Sequence, residues 1–492
     1  MSEPQAADPK SQLRRAMGFW DVLLFNIAAV LGPRWIAAAA HNGTSSISLW
    51  ALAAVFFFLP NAFVIIELST RFPSEGGLYV WCKEAFGEFH GFVAGWTYWV
   101  YTFFYFPGLL MASAAMCAYI GGPKTAFLAQ DRPFLIVGSL VLLFVAVYLN
   151  IIGLHIGKWL QNAGGIGTYV PLLMLVALGG YLWVTHGAQT HFSVANMLPA
   201  WNWDTVNFWP QIAFAFTALE LCSMMSEEVR DPHRTFPRAI LSSGLLISLI
   251  YIAGTFAVLA MVPAAAVDPK AGVFQALTTG STLLRIGAYG VIAALLVTAG
   301  NAGGVGTTVA GVARIPFVVG IDRYMPAAFG KIHPKWKTPW VSILVQALIS
   351  GAILLVIQLN ETANSAYQIL VDAGTILYFV PLLYMFAAVI KLAYRADRAE
   401  RAARENASLI PGGKFGVWVM GVLGMAVVTG GIVLSMIPPG DVEHKWLFEV
   451  KLIAGTLGAL ALGLILYYRG VRAKAREGMS SAQPQQPAVP TQ

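Results

Sequence analysis

Two polar groups sit in runs that are otherwise apolar. Arg34 follows Gly32-Pro33 in the first long apolar segment, and Glu220 ends the run Phe214-Ala215-Phe216-Thr217-Ala218-Leu219-Glu220. Proline cannot donate to the helix ladder and clashes with the preceding turn, while glycine accepts non-helical angles, so the backbone from Leu31 to Trp35 is expected to unwind. At membrane depth, unwound backbone is tolerated only beside packed protein or a cavity. A guanidinium there costs about 2.5 to 3.5 kcal/mol on insertion scales, so it needs a reason to stay. It can meet a carboxylate with two parallel hydrogen bonds, which makes Leu31, Gly32, Pro33, Arg34 and Trp35 a candidate ligand site. It can equally pair with Glu220 or cap carbonyls freed by the break. Glu220 has two matching readings, a ligand- or proton-handling group or the structural partner of a second break.

The elements that position these groups follow from composition. The chain has 492 residues, 57% hydrophobic and 11% charged, with a mean hydropathy of +0.67, which describes a polytopic membrane protein. A helix needs about 20 apolar residues to cross a hydrocarbon core of about 30 Å. Twelve such stretches are expected, near 18–40, 46–70, 89–119, 133–152, 159–184, 205–227, 237–262, 285–318, 340–358, 365–391, 414–437 and 447–469. The first keeps its internal Gly-Pro and has no small-residue cleavage site, so it reads as an uncleaved span. Of the 31 Lys and Arg, the loops on one side hold only Lys124, Arg132, Lys270, Arg285, Lys445 and Lys451. The basic excess places both termini in the cytoplasm, and the net charge of +7 reflects topology and anionic lipid, with no nucleic-acid partner. Cys82, Cys117 and Cys222 show neither disulfide nor metal-ligand spacing.

Spans one and six lie five apart and both carry interruptions near mid-membrane, the expected mark of an inverted repeat. The domain reading is a cytoplasmic segment 1–17, a first repeat 18–184, a second repeat 205–391, two peripheral spans within 414–469 and a disordered cytoplasmic tail 477–492. The broken spans would then meet at the midplane. Span three is dense in aromatics, which serve as membrane anchors or packing, with Tyr101 or Phe104 as residues that could touch a ligand. Gly164, Gly165 and Gly167 in span five and Gly300, Gly303, Gly304 and Gly306 in span eight read as close helix packing, with Asn301 as polar lining. No metal cluster, nucleophile elbow or pair of catalytic carboxylates is visible, so neither an enzyme nor a bound cofactor is expected.

Three ordered cytoplasmic motifs carry a family resemblance. They are Phe72-Pro73-Ser74-Glu75-Gly76-Gly77-Leu78-Tyr79-Val80-Trp81, the stretch from Glu228 through Asp231-Pro232 and Phe236-Pro237 to Ile240, and the stretch from Ala313-Arg314 through Asp322-Arg323-Tyr324-Met325-Pro326 and His333-Pro334 to Thr338-Pro339. Residues of about 15 to 470 resemble the amino acid, polyamine and organocation permeases, and Ile410-Pro411-Gly412-Gly413-Lys414 is similar to bacterial glutamate/GABA antiporters within that superfamily. The resemblance implies an all-α five-plus-five inverted-repeat fold with two further helices. It also implies a bacterial inner-membrane carrier of an amino acid or amino acid derivative, as proton-coupled symporter or exchanger, with a polyamine or organic cation permease as the rival and a sensor or channel as the different-class rival. Its substrate site implicates residues 31–35, Tyr101, Phe214, Phe216, Thr217, Ala218, Glu220 and Asn301, with Glu220 as the coupling candidate. One departure stands out. The family's Gly-Ser-Gly cradle for a substrate carboxylate aligns with Gly32-Pro33-Arg34, so a proline removes one donor and a guanidinium enters where glycine admits the ligand. The family's proton-linked lysine aligns with Thr168, which disfavours lysine-based coupling.

Overall fold

The computed structural model describes residues 17–72, 77–152, 154–199, 202–312, 324–336, 338–360, 362–395, 410–438 and 444–481. Pro73 to Gly76, residues 313–323 and Lys337, which belong to two of the three family motifs, lie outside that set. Among the described residues, nine helices are long and apolar enough to cross a membrane, and ten if the bent pair Phe19–Val30 and Pro33–His41 forms one span. Of the other two expected spans, span six is broken and span eight is a continuous helix over Ala288–Val312. The last helix runs Lys445–Ser481, past the residue at which a disordered tail was expected to begin.

Span one breaks as its sequence dictates. Leu31 (φ −72°, ψ 114°) and Gly32 (φ −128°, ψ 123°) are extended, and Pro33 starts the second half at the position where its missing N–H costs nothing. The halves meet at 44°. Span six ends its helix Trp203–Phe214, crosses a turn and resumes as a 3-10 helix over Leu219–Glu228. No glycine or proline makes that turn; Ala218 does so at φ +75°, a left-handed conformation that an alanine adopts only when its surroundings hold it there. The Tyr378 hydroxyl, accepting from Ala218 N at 2.8 Å, is one such restraint.

Packing between spans five and eight follows their glycines. A Cβ on Gly167 would come within 2.7 Å of Gly300 Cα, so the two backbones touch where any larger residue would force them apart. The aromatics of span three, helical over Glu88–Val100 and Thr102–Cys117, turn inward. Tyr98, Trp99, Tyr101, Phe103 and Phe104 are all buried, so this stretch forms core and not an interfacial belt.

Candidate substrate site

Arg34 stands in the first turn of the second half of span one and is 3% exposed. Its guanidinium carbon lies 4.2 Å from the Trp35 ring centroid and 4.7 Å from that of Tyr105. Cation–π contact with two rings recovers part of the cost of burial. Among the described residues it has no ion pair and no hydrogen-bond acceptor, and its buried Nη2 is unpartnered. The buried Tyr367 hydroxyl of span ten stands beside the guanidinium, in reach of a weak contact with it. The expected alternatives, a pair with Glu220 or caps on freed carbonyls, are not formed.

A cavity opens on this cation. Span one contributes Arg34 and Trp35 and span six Phe214; span three adds Phe104, Tyr105 and Gly108, and span ten Leu370, Val371 and Gly374. The space left between these side chains is narrower than a water molecule. Gly108 and Gly374 keep it open: a Cβ on Gly108 would stand 3.8 Å from Arg34 Nη1, and one on Gly374 would stand 3.7 Å from Tyr105 N.

One layer further along span three, toward the end that carries Met17, Glu220 is fully buried. Its Oε1 accepts from Tyr98 at 2.7 Å and from Tyr378, while Oε2 is unpartnered. Tyr101 separates the two layers, edge-on to Tyr105 at 5.6 Å and to Tyr378 at 4.6 Å.

With this geometry the comparisons can be read. A family model described as amino acid permease matches residues 17–457. The chain belongs to the amino acid permease family. The permease is 27% identical over 452 residues to an uncharacterized transporter of Legionella pneumophila, spanning 90% of this chain and 95% of that protein. It is 27% identical over 405 residues to the serine/threonine exchanger SteT of Bacillus subtilis, 79% and 86% of the two chains. It is also 22% identical over 471 residues to the Probable agmatine/putrescine antiporter AguD of Lactococcus lactis, 95% and 98% of the two chains. The crystal structure of MhsT in complex with L-phenylalanine superposes with a TM-score of 0.62 at 12% identity, over 86% of this chain and 99% of that one. The fold is thus the LeuT-like fold of polytopic membrane carriers. The permease is a secondary transporter, not an enzyme.

The permease brings together some of the residues its sequence singled out and disperses others. Arg34, Trp35 and Phe214 line the cavity, with Tyr101 directly below. Leu31, Gly32, Pro33 and Ala218 make the two breaks, and Thr217 caps the broken helix by giving both its N–H and its hydroxyl to Phe214 O. Phe216 points elsewhere, onto Trp50, Phe58 and Tyr251. Asn301 donates to Met116 Sδ at 3.3 Å and is not a lining residue. Arg234 and Asp231 form an exposed ion pair at 3.7 Å, a solvated contact. Sequence reasoning missed Tyr98, Tyr105, Tyr251, Tyr367 and Tyr378. It also missed Asp372, a buried carboxylate of span ten that accepts from Gln368 at 3.0 and 3.2 Å. The spacing of Tyr98, Tyr101 and Tyr105, one face of a helix, was the available signal.

Proposed function

We propose that this permease carries an amino acid or amino acid derivative across the bacterial inner membrane by alternating access, with Arg34 as anchor for the substrate carboxylate. The observation that carries the reading is a buried guanidinium that lines a cavity and has, among the described residues, no carboxylate partner and no acceptor for Nη2. Guanidinium and carboxylate match in charge and in planar geometry, and the occupied site would neutralise a charge the protein leaves open. In this reading both termini are cytoplasmic, residues 18–184 and 205–391 form the two repeats, and spans eleven and twelve stand outside. The Glu220 layer then lies on the cytoplasmic side of the cavity and serves as the coupling element, either by taking a proton or by holding spans three, six and ten together during exchange.

The similarity to an agmatine/putrescine antiporter supports the rival reading of a polyamine or organic cation carrier. Arg34 opposes it, because the lining residues offer an amine a like charge and no carboxylate. Counterflow in proteoliposomes decides. The expected result is saturable, trans-stimulated movement of a carboxylate-bearing substrate that Arg34→Ala abolishes. Movement of putrescine or agmatine alone would reverse the order of the two readings, and flux without trans-stimulation would make the protein a channel.

A further inference from the structure

A break in a helix frees backbone groups, N–H toward an anion and C=O toward a cation, and together these can receive a zwitterion. Here the groups freed at the two breaks, next in sequence to the lining residues Arg34 and Phe214, converge on one side chain. The Tyr251 hydroxyl of span seven lies 2.8 Å from Val30 O, 3.1 Å from Ala215 O and 3.3 Å from Gly32 N, so it spans the breaks of spans one and six. Pro33 has no N–H to offer. Gly32 O accepts from Trp35 N, Ala213 O from Phe216 N, and Phe214 O from Thr217.

Tyr251 is also held in place. Its ring stacks on Trp50 at 4.2 Å and 16°, Trp50 Nε1 donates to Thr255 at 3.0 Å, and Phe216 stands edge-on to both rings at 5.6 Å. Tyr251, Trp50 and Phe216 are fully buried. No lining residue carries a carboxylate, and the bonded oxygen of Glu220 is committed to Tyr98 and Tyr378. What the cavity still offers is the Arg34 cation and the walls of Trp35, Phe104, Tyr105 and Phe214.

We infer that Tyr251 occupies the place where a substrate ammonium would bind, so that the permease recognises its substrate through a carboxylate and an apolar or aromatic body, and needs no α-amino group. This rests on the reading of Arg34 as the carboxylate anchor.

The test is titration calorimetry on the full-length purified protein with matched triplets: phenylalanine, 3-phenylpropionate and phenethylamine, then leucine, 4-methylpentanoate and isopentylamine. In at least one triplet the desamino acid should bind as tightly as the amino acid or more tightly, and the amine about 100-fold more weakly, because a charge-assisted pair is replaced by repulsion. A desamino acid about 10-fold or more weaker than its amino acid overturns the inference and leaves the Arg34 reading standing. Binding of the amine alone, or of no member of either triplet, overturns both. Tyr251→Phe supplies a second readout. Removing the hydroxyl frees Gly32 N, Val30 O and Ala215 O, so the affinity ratio of amino acid to desamino acid should rise about 10-fold. An unchanged ratio in folded Tyr251→Phe protein also counts against it.

Discussion

Among the described residues, the permease buries two cations and treats them differently. Lys270, in the loop after span seven, is fully buried, and its ammonium meets three acceptors: Asn364 Oδ1, Gln130 Oε1 at 3.3 Å and Asp268 Oδ1 at 3.5 Å. Asp268 is itself supported by Gln130 Nε2 at 2.9 Å and Lys270 N at 2.8 Å. Three N–H groups are thus matched by acceptors from three parts of the chain. Arg34 carries five N–H groups and has two aromatic rings and a cavity. A cation that holds a fold together brings its own acceptors; one that serves a ligand leaves that role to the ligand.

Removing each charge should break the comparison in opposite ways. Lys270→Met leaves Asp268 buried without its cation and should cost about 3 kcal/mol of stability, the low end for a broken buried pair because Asp268 keeps other donors. Thermal unfolding should show the loss, and ligand affinity should stay near wild type. Arg34→Met should do the reverse, lowering carboxylate affinity about 10- to 100-fold as hydrogen bonds to a charged group are lost, with an unfolding temperature equal to wild type or higher. Equal destabilisation by both variants would erase the distinction.

Glu220 lies between these cases, with one oxygen bonded twice and the other unpartnered. Tyr378 serves both Glu220 and Ala218 N, whereas Tyr98 serves only Glu220 among the contacts described here. Tyr378→Phe should therefore cost about 2 kcal/mol and Tyr98→Phe about 1 kcal/mol in chemical unfolding, at about 1 kcal/mol per net hydrogen bond. Equal costs would show that the contact to Ala218 is not holding the left-handed turn.

The smallest effect is in pH. Burial pushes the Lys270 ammonium below the ordinary lysine range, and Asp268 only partly restores it. In the window between that depressed value and the ordinary one, the unfolded chain binds more protons than the folded one, so wild-type stability should rise with pH relative to Lys270→Met. Below the window the difference between the two proteins should be constant. A wild-type curve falling through the window would mean that Asp268 outweighs burial.

Much of this was legible in the chain. Hydropathy marks most spans because a bilayer demands about 20 apolar residues, and Gly32-Pro33 announces the break in span one because proline must interrupt a ladder. The break in span six was visible only through Glu220, since its geometry depends on a left-handed alanine, and alanine carries no local signal for that. Whether Arg34 and Glu220 pair could not be read, because the answer lies with Tyr98 and Tyr378, the latter 158 residues from Glu220 in sequence. Tyr251 went unnoticed for the same reason. Its role comes from where two breaks meet, not from its neighbours in span seven.

The most direct test is titration of the tightest-binding carboxylate into wild type, Arg34→Met and Lys270→Met, with each protein's fold checked by thermal unfolding. Binding that collapses in Arg34→Met alone, while Lys270→Met binds normally at a lower unfolding temperature, is the predicted result. Unchanged carboxylate affinity in a folded Arg34→Met protein would contradict it.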